Sequence, residues 1–145
     1  NILMNNSSAS DKEITQVLSI AGLEQFILEQ RDGIYLMLDD KGTNLSIGQK
    51  KRLALARSLI SNPDILIFDE PTAELDNETT KSLLDNLSSA INDRTVFIIT
   101  HDPEVTSFCD KSMFIVNGQI AGFAPHSELA DTSPEYRSLF QLGEK

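Results

Sequence analysis

Apolar positions fall at helical spacing along the first sixty residues. Ser10-Asp11-Lys12-Glu13 has the form of a capping box, with Ser10 as N-cap and Glu13 three residues on. Ile14, Val17, Leu18 and Ala21 follow on one helical face, and Gly22 stands where the helix would stop. Leu23, Phe26 and Ile27 predict a short second helix closed by Arg31-Asp32-Gly33. Ser46 caps a third helix that runs to Leu59 or Ile60, where Asn62-Pro63 stops it. The period then changes. Ile65-Leu66-Ile67-Phe68 is a short unbroken apolar run, which predicts a buried parallel strand. Leu83, Leu84, Leu87 and Ile91 predict a helix over 77–91, and Thr95–Ile99 a second apolar strand. Pro103, behind Asp102, suits the first turn of a short helix. Met113–Val116 and Gln119–Phe123 flank Asn117-Gly118, a strong hairpin signal. Ser133-Pro134 opens a last helix with Tyr136, Leu139 and Phe140 on one face. Phe108, Phe114, Phe123 and Phe140 are read as core, and Cys109 as a small buried hydrophobe.

Strands alternating with helices predict an α/β layer, and the all-helical opening predicts a separate subdomain. The expected division is 1–62, helical, and 63–145, mixed. Charge follows the same division. The net charge is −10, yet residues 1–62 carry seven basic and seven acidic residues, while 63–145 carry five and fifteen. That balance argues against a general nucleic-acid binder, whose affinity rests on Lys and Arg at phosphates. A single cysteine allows no intrachain disulfide, as suits a reducing compartment. Unbroken apolar runs such as Ile65–Phe68 are far too short to span a bilayer. The first residue is Asn1 rather than Met, so a piece of a longer chain is expected.

The chemistry gathers at two places. One is Leu45-Ser46-Ile47-Gly48-Gln49, opening the third helix; the other is Asp69-Glu70, directly after the apolar strand. Carboxylates at the carboxyl edge of a parallel sheet lie where α/β folds bind ligands. Neighbouring strand residues face opposite ways unless the chain turns, so the two acids are expected to do different work. The first suits a Mg²⁺ ion; the second suits orienting or deprotonating a water.

At these residues the chain resembles the nucleotide-binding domain of ABC transporters. Leu45-Ser46-Ile47-Gly48-Gln49 is similar to the family signature LSGGQ, and Ile65–Glu70 to its Walker B strand with the catalytic Glu. Ala73-Glu74-Leu75-Asp76 resembles the D-loop, and His101 the switch histidine. All four occur in the family's order. The resemblance implies an incomplete P-loop NTPase (ABC ATPase) fold: the helical subdomain, part of the parallel core sheet and a C-terminal β-hairpin. It implies ATP and Mg²⁺ as ligands. Asp69 would hold Mg²⁺ through water, Glu70 would polarise the attacking water, and His101 would contact the γ-phosphate. Ser46, Ile47, Gly48 and Gln49 would meet ATP held by the opposite subunit, and Asp76 would couple the two sites of the dimer. The partners implied are a second nucleotide-binding domain, in a homodimer or heterodimer, and a transmembrane domain. No nucleic-acid partner is expected. The location implied is the cytoplasmic face of a membrane, most simply a bacterial inner membrane.

Some positions depart from the pattern. Ile47 stands at the second Gly of the signature, and a position requiring positive φ would strain a β-branched residue. Lys50, Lys51, Arg52 and Arg57 are read as the solvated face of the signature helix. No Gly is followed by Lys, so the sequence contains no G-x-x-x-x-G-K-[ST] phosphate loop. Open strand edges, with intermolecular pairing or a loose sheet, are expected to follow. Asp39-Asp40-Lys41-Gly42, Asn117–Ile120, His126–Leu129 and Tyr136–Leu139 resemble exporter segments, so ATP-driven export is the function the resemblance favours. A translation- or chromosome-associated ABC ATPase and a degenerate regulatory domain are the alternatives.

Overall fold

The computed structural model describes residue 2, residues 8–38 and residues 44–140. The segment Asp39-Asp40-Lys41-Gly42 and Asn1 lie outside these. The chain forms two compact units, Asn1–Ile99 and Thr100–Lys145.

In the first unit, α1 (Asp11–Ile20) starts at the Ser10–Glu13 capping box, with both reciprocal bonds formed. It ends at Gly22, whose φ of +66° explains why glycine stops the helix there. Then come α2 (Glu24–Leu28) and a 3-10 turn, Gly33–Tyr35. Gly33 therefore opens a turn rather than closing α2, which ends five residues earlier. The signature-bearing helix α3 (Ile47–Ile60) is followed by β1 (Ile65–Asp69), α4 (Asn77–Ala90) and β2 (Thr95–Ile99). The strands β1 and β2 pair in parallel with Ile65 opposite Thr95 and Asp69 opposite Ile99. Arg94 donates to the Asn62 side chain, joining the start of β2 to the end of α3. One apolar cluster joins Val17 and Leu18 of α1, Leu55 and Leu59 of α3, Leu66 and Phe68 of β1, and Leu83 and Leu87 of α4.

Burial of β1 on both faces is not what forms. Leu66 and Phe68 point into the cluster, whereas Ile65 and Ile67 are 59% and 67% exposed. Phe97 and Ile99 of β2 stand beside them, also more than half exposed. The unbroken apolar run hides an alternation, because the strand period of two sends every second side chain to the far face.

In the second unit, α5 (Pro103–Phe108) is capped by Asp102, with Pro103 in its first turn. The hairpin of β3 (Ser112–Val116) and β4 (Gln119–Ala124) turns at Asn117-Gly118, both with positive φ (50° and 76°), as a type I′ turn requires. The unit closes with α6 (His126–Thr132), which the periodicity did not announce, and α7 (Pro134–Leu139). Tyr136 is 2% exposed, with Phe114, His126 and Phe140 ring to ring around it. Leu139 and Phe123 were expected inside, yet both are more than half exposed. A six-residue helix can bury only a narrow stripe, and Tyr136 occupies it; Phe123 lies outward on the hairpin beneath the Lys111 ammonium, 5.4 Å away.

Candidate functional site

Ser46 takes an extended conformation and caps α3. Its Oγ accepts from the Gln49 N–H at 3.1 Å, and Gln49 Oε1 accepts from the Ser46 N–H at 2.9 Å. The reciprocal role of Gln49 escaped the sequence reading, although S-x-x-Q is itself the capping-box pattern. The first intrahelical bond runs from Lys50 N–H to Ser46 O. The N–H groups of Ile47 and Gly48 therefore precede the helical ladder, as anion-binding helix ends require. Ile47 is not strained. It is the first residue of α3, outside the positive-φ set, and its side chain is 59% exposed. Gly48 also has no left-handed backbone, so this turn never called on glycine's conformational freedom.

The basic residues behind the signature are not all solvated. Arg52 is half-buried, and its Nη1 donates to Gly22 O at 3.0 Å, fastening α3 to the turn after α1. No spacing rule brings positions thirty residues apart together, which is why this bond was not legible.

Asp69 closes β1 on the exposed face of the strand pair. Glu70 then turns the chain. Its φ is +47°, a left-handed conformation that costs about 1 kcal/mol for a residue with a Cβ. Its N–H donates to Ile99 O at 2.9 Å, prolonging the parallel ladder by one rung. So the two acids do part company, as the turn between them demands. From Glu70 the chain passes through two tight turns, Ala73 N–H to Glu70 O and Leu75 N–H to Thr72 O, with Pro71 and Thr72 buried. Glu74 repeats the left-handed conformation at φ +69°. Asp76 caps α4: its carboxylate accepts from Thr79 N–H at 2.9 Å and Thr79 Oγ1 at 2.7 Å. His101 is exposed and stands at the start of the second unit, between Thr100, whose Oγ1 accepts from Asp102 N–H, and the Asp102 cap of α5. The structure thus joins the signature and the 69–76 segment in one unit and places His101 in the other.

The ABC transporter family model matches residues 2–73. The α-hemolysin translocation ATP-binding protein of Escherichia coli is 36% identical over 98% of the chain, and the β-(1→2)glucan export ATP-binding/permease protein of Bartonella quintana 35% over 99%. A solved bacterial Atm1-family ABC exporter with ATP bound superposes with a TM-score of 0.88 over 99% of the chain, at 29% identity. The chain belongs to the ABC transporter family. It spans from a fifth to just over a quarter of the length of these relatives, covering 20% and 24% of the two named proteins and 26% of the solved exporter. An incomplete ABC ATPase fold follows, with its helical part, a short parallel strand pair and an antiparallel hairpin.

Within this ABC domain the caps carry the electrostatics. The two Thr79 bonds, the backbone one first, hold the Asp76 carboxyl below its ordinary range. A carboxyl depressed in the folded state stabilises the fold above its unfolded pKa, about 3.9. That stabilisation is lost as pH falls through the lower folded value. Amide protection in the first turn of α4 is therefore expected to be constant from pH 7 to about 5 and to fall below about 4. An Asp76→Ala variant should lack this pH step; one that retained it would assign the step to another group. Cys109 ends α5 half-buried, and burial, aided by Asp110, pushes its thiol up, away from the thiolate. Among the described residues no group of three or more His, Cys, Asp or Glu side chains could hold a metal, and no helix is long and apolar enough to cross a membrane.

Proposed function

We propose that this chain is the signature-bearing, carboxyl-side portion of the ATP-binding domain of an export transporter. What carries the reading is the likeness to an ATP-bound exporter over 99% of the chain, with the signature helix and the Walker B turn in one compact unit. In this reading residues 1–62 form the signature-bearing helical part and 63–145 the carboxyl part of the ATPase core. Ser46, Ile47, Gly48 and Gln49 present a helix N-terminus to the phosphates of ATP bound by a second nucleotide-binding domain. Asp69, an exposed oxygen donor, fits a Mg²⁺ ion held mainly by waters and phosphate oxygens, the habit of an ion that seldom has an all-protein cage. Bound there, Mg²⁺ neutralises phosphate charge. Glu70 takes the proton of the attacking water, and His101 donates to the terminal phosphate. Asp76 serves by holding the turn between Glu70 and α4. The partners are a second such domain and a transmembrane domain, with the ATPase on the cytoplasmic face.

The test is made on the whole polypeptide carrying this segment. It is expected to sediment with membranes and to hydrolyse ATP only with Mg²⁺, and Ser46→Arg should abolish turnover by placing a bulky cation at the helix end. A polypeptide found wholly in the soluble fraction, or one whose turnover ignores Ser46→Arg, refutes the reading. The 145-residue chain alone, whose sequence contains no phosphate loop, should show no turnover and no saturable ATP binding below about 1 mM by calorimetry.

A further inference from the structure

Leu75 lies between the two parts of the site. A Cβ built on Gly48 would sit 3.5 Å from Leu75 Cδ2, an ordinary contact distance, so the leucine rests on the glycine's bare face at the second residue of α3. Leu75 is also half-buried against the main apolar cluster. On its own segment it has little freedom. Its N–H is bonded to Thr72 O, Asp76 beside it is pinned as the α4 cap, and the segment begins at Glu70, anchored to β2 through Ile99 O. The signature turn is equally closed, by the Ser46–Gln49 box. Two rigid turns thus meet at one apolar contact.

We propose that Leu75 is a positioning residue that ties the Glu70 turn to the first turn of the signature helix within one chain. A displacement of the 70–76 segment is then passed to Ser46–Gln49 through packing, without any ligand. Its bearing on turnover rests on the function proposed above, but the contact itself does not, so it is tested without nucleotide.

The experiment is amide hydrogen exchange on the whole polypeptide carrying this segment, without nucleotide, read at Gln49 and Lys50, whose N–H groups bond Ser46 Oγ and Ser46 O. The internal control is Ile14, bonded to Ser10 O in the similarly boxed first turn of α1. Leu75→Ala is expected to speed exchange at Gln49 and Lys50 about fivefold while leaving Ile14 within about twofold. Leu75→Met should keep wild-type rates. Glu70→Gly, which relaxes the left-handed turn, should change Gln49 exchange in the parent chain and have no effect once Leu75 is Ala. Unchanged rates at Gln49 and Lys50, or an equal rise at Ile14, overturns the proposal; so does a Glu70→Gly effect that persists without the leucine. Failure of ATP turnover in the whole polypeptide would overturn the proposed function and leave these exchange rates as they are.

Discussion

In the whole polypeptide, Glu70→Gln is expected to lower kcat for ATP by about 10²–10⁴-fold, the range a lost general base commands. ATP and Mg²⁺ affinity should remain near wild type. The substitution is close to isosteric, so the left-handed turn at φ +47° and the bond from the residue 70 N–H to Ile99 O are kept. What disappears is a carboxylate able to take a proton from the attacking water. A companion variant separates chemistry from folding. Glu70→Gly suits the positive φ better than any residue with a Cβ, so it should be at least as stable as the parent and equally inactive. Single-turnover hydrolysis and thermal unfolding, measured side by side, check both. Wild-type kcat in Glu70→Gln would remove this residue from the reaction and leave water activation to another group.

The second large effect concerns the unit from Thr100 onward. Tyr136→Ala is expected to cost about 3–5 kcal/mol, the usual range for removing a buried aromatic. The ring is almost fully enclosed, edge-on to Phe114 at 5.3 Å and to Phe140 at 5.0 Å between centroids. Its hydroxyl meets His126 Nδ1 at 2.9 Å, and the same nitrogen lies 3.1 Å from Thr106 Oγ1. So small a unit has little stability in reserve. The loss should unfold β3, β4, α6 and α7 while the α1–α3 core keeps its amide protection. Tyr136→Phe keeps the rings and loses one hydrogen bond, so it should cost only about 0.5–1.5 kcal/mol. Residue-resolved hydrogen exchange distinguishes these outcomes. Equal loss of protection at Leu18 and Phe114 would show that the two units melt together.

Much of this molecule was legible without coordinates, wherever the determining contacts lie within four residues along the chain. The Ser10 box, the Asp102 cap with Pro103, and the Asn117-Gly118 turn are local chemistry, and each formed as its residues dictate. The candidate motifs were legible for a similar reason, since Ser46–Gln49 and Asp69-Glu70 are contiguous residues at element ends.

The sequence alone sets the order of the elements other than α6 and the Gly33–Tyr35 turn, the caps, the hairpin turn and the placing of a signature at one helix end and two acids at one strand end. The tertiary structure alone decided which half of the Ile65–Phe68 run is covered, because burial depends on what packs against a face and not on the residues in it. It decided that Ile47 enters the helix unstrained, that Arg52 reaches back to Gly22, and that Leu75 settles on Gly48. Those contacts join positions about thirty residues apart. Helical and strand periods fix which neighbours a side chain has along its own element, but only the packing of one element on another selects the partner across the gap.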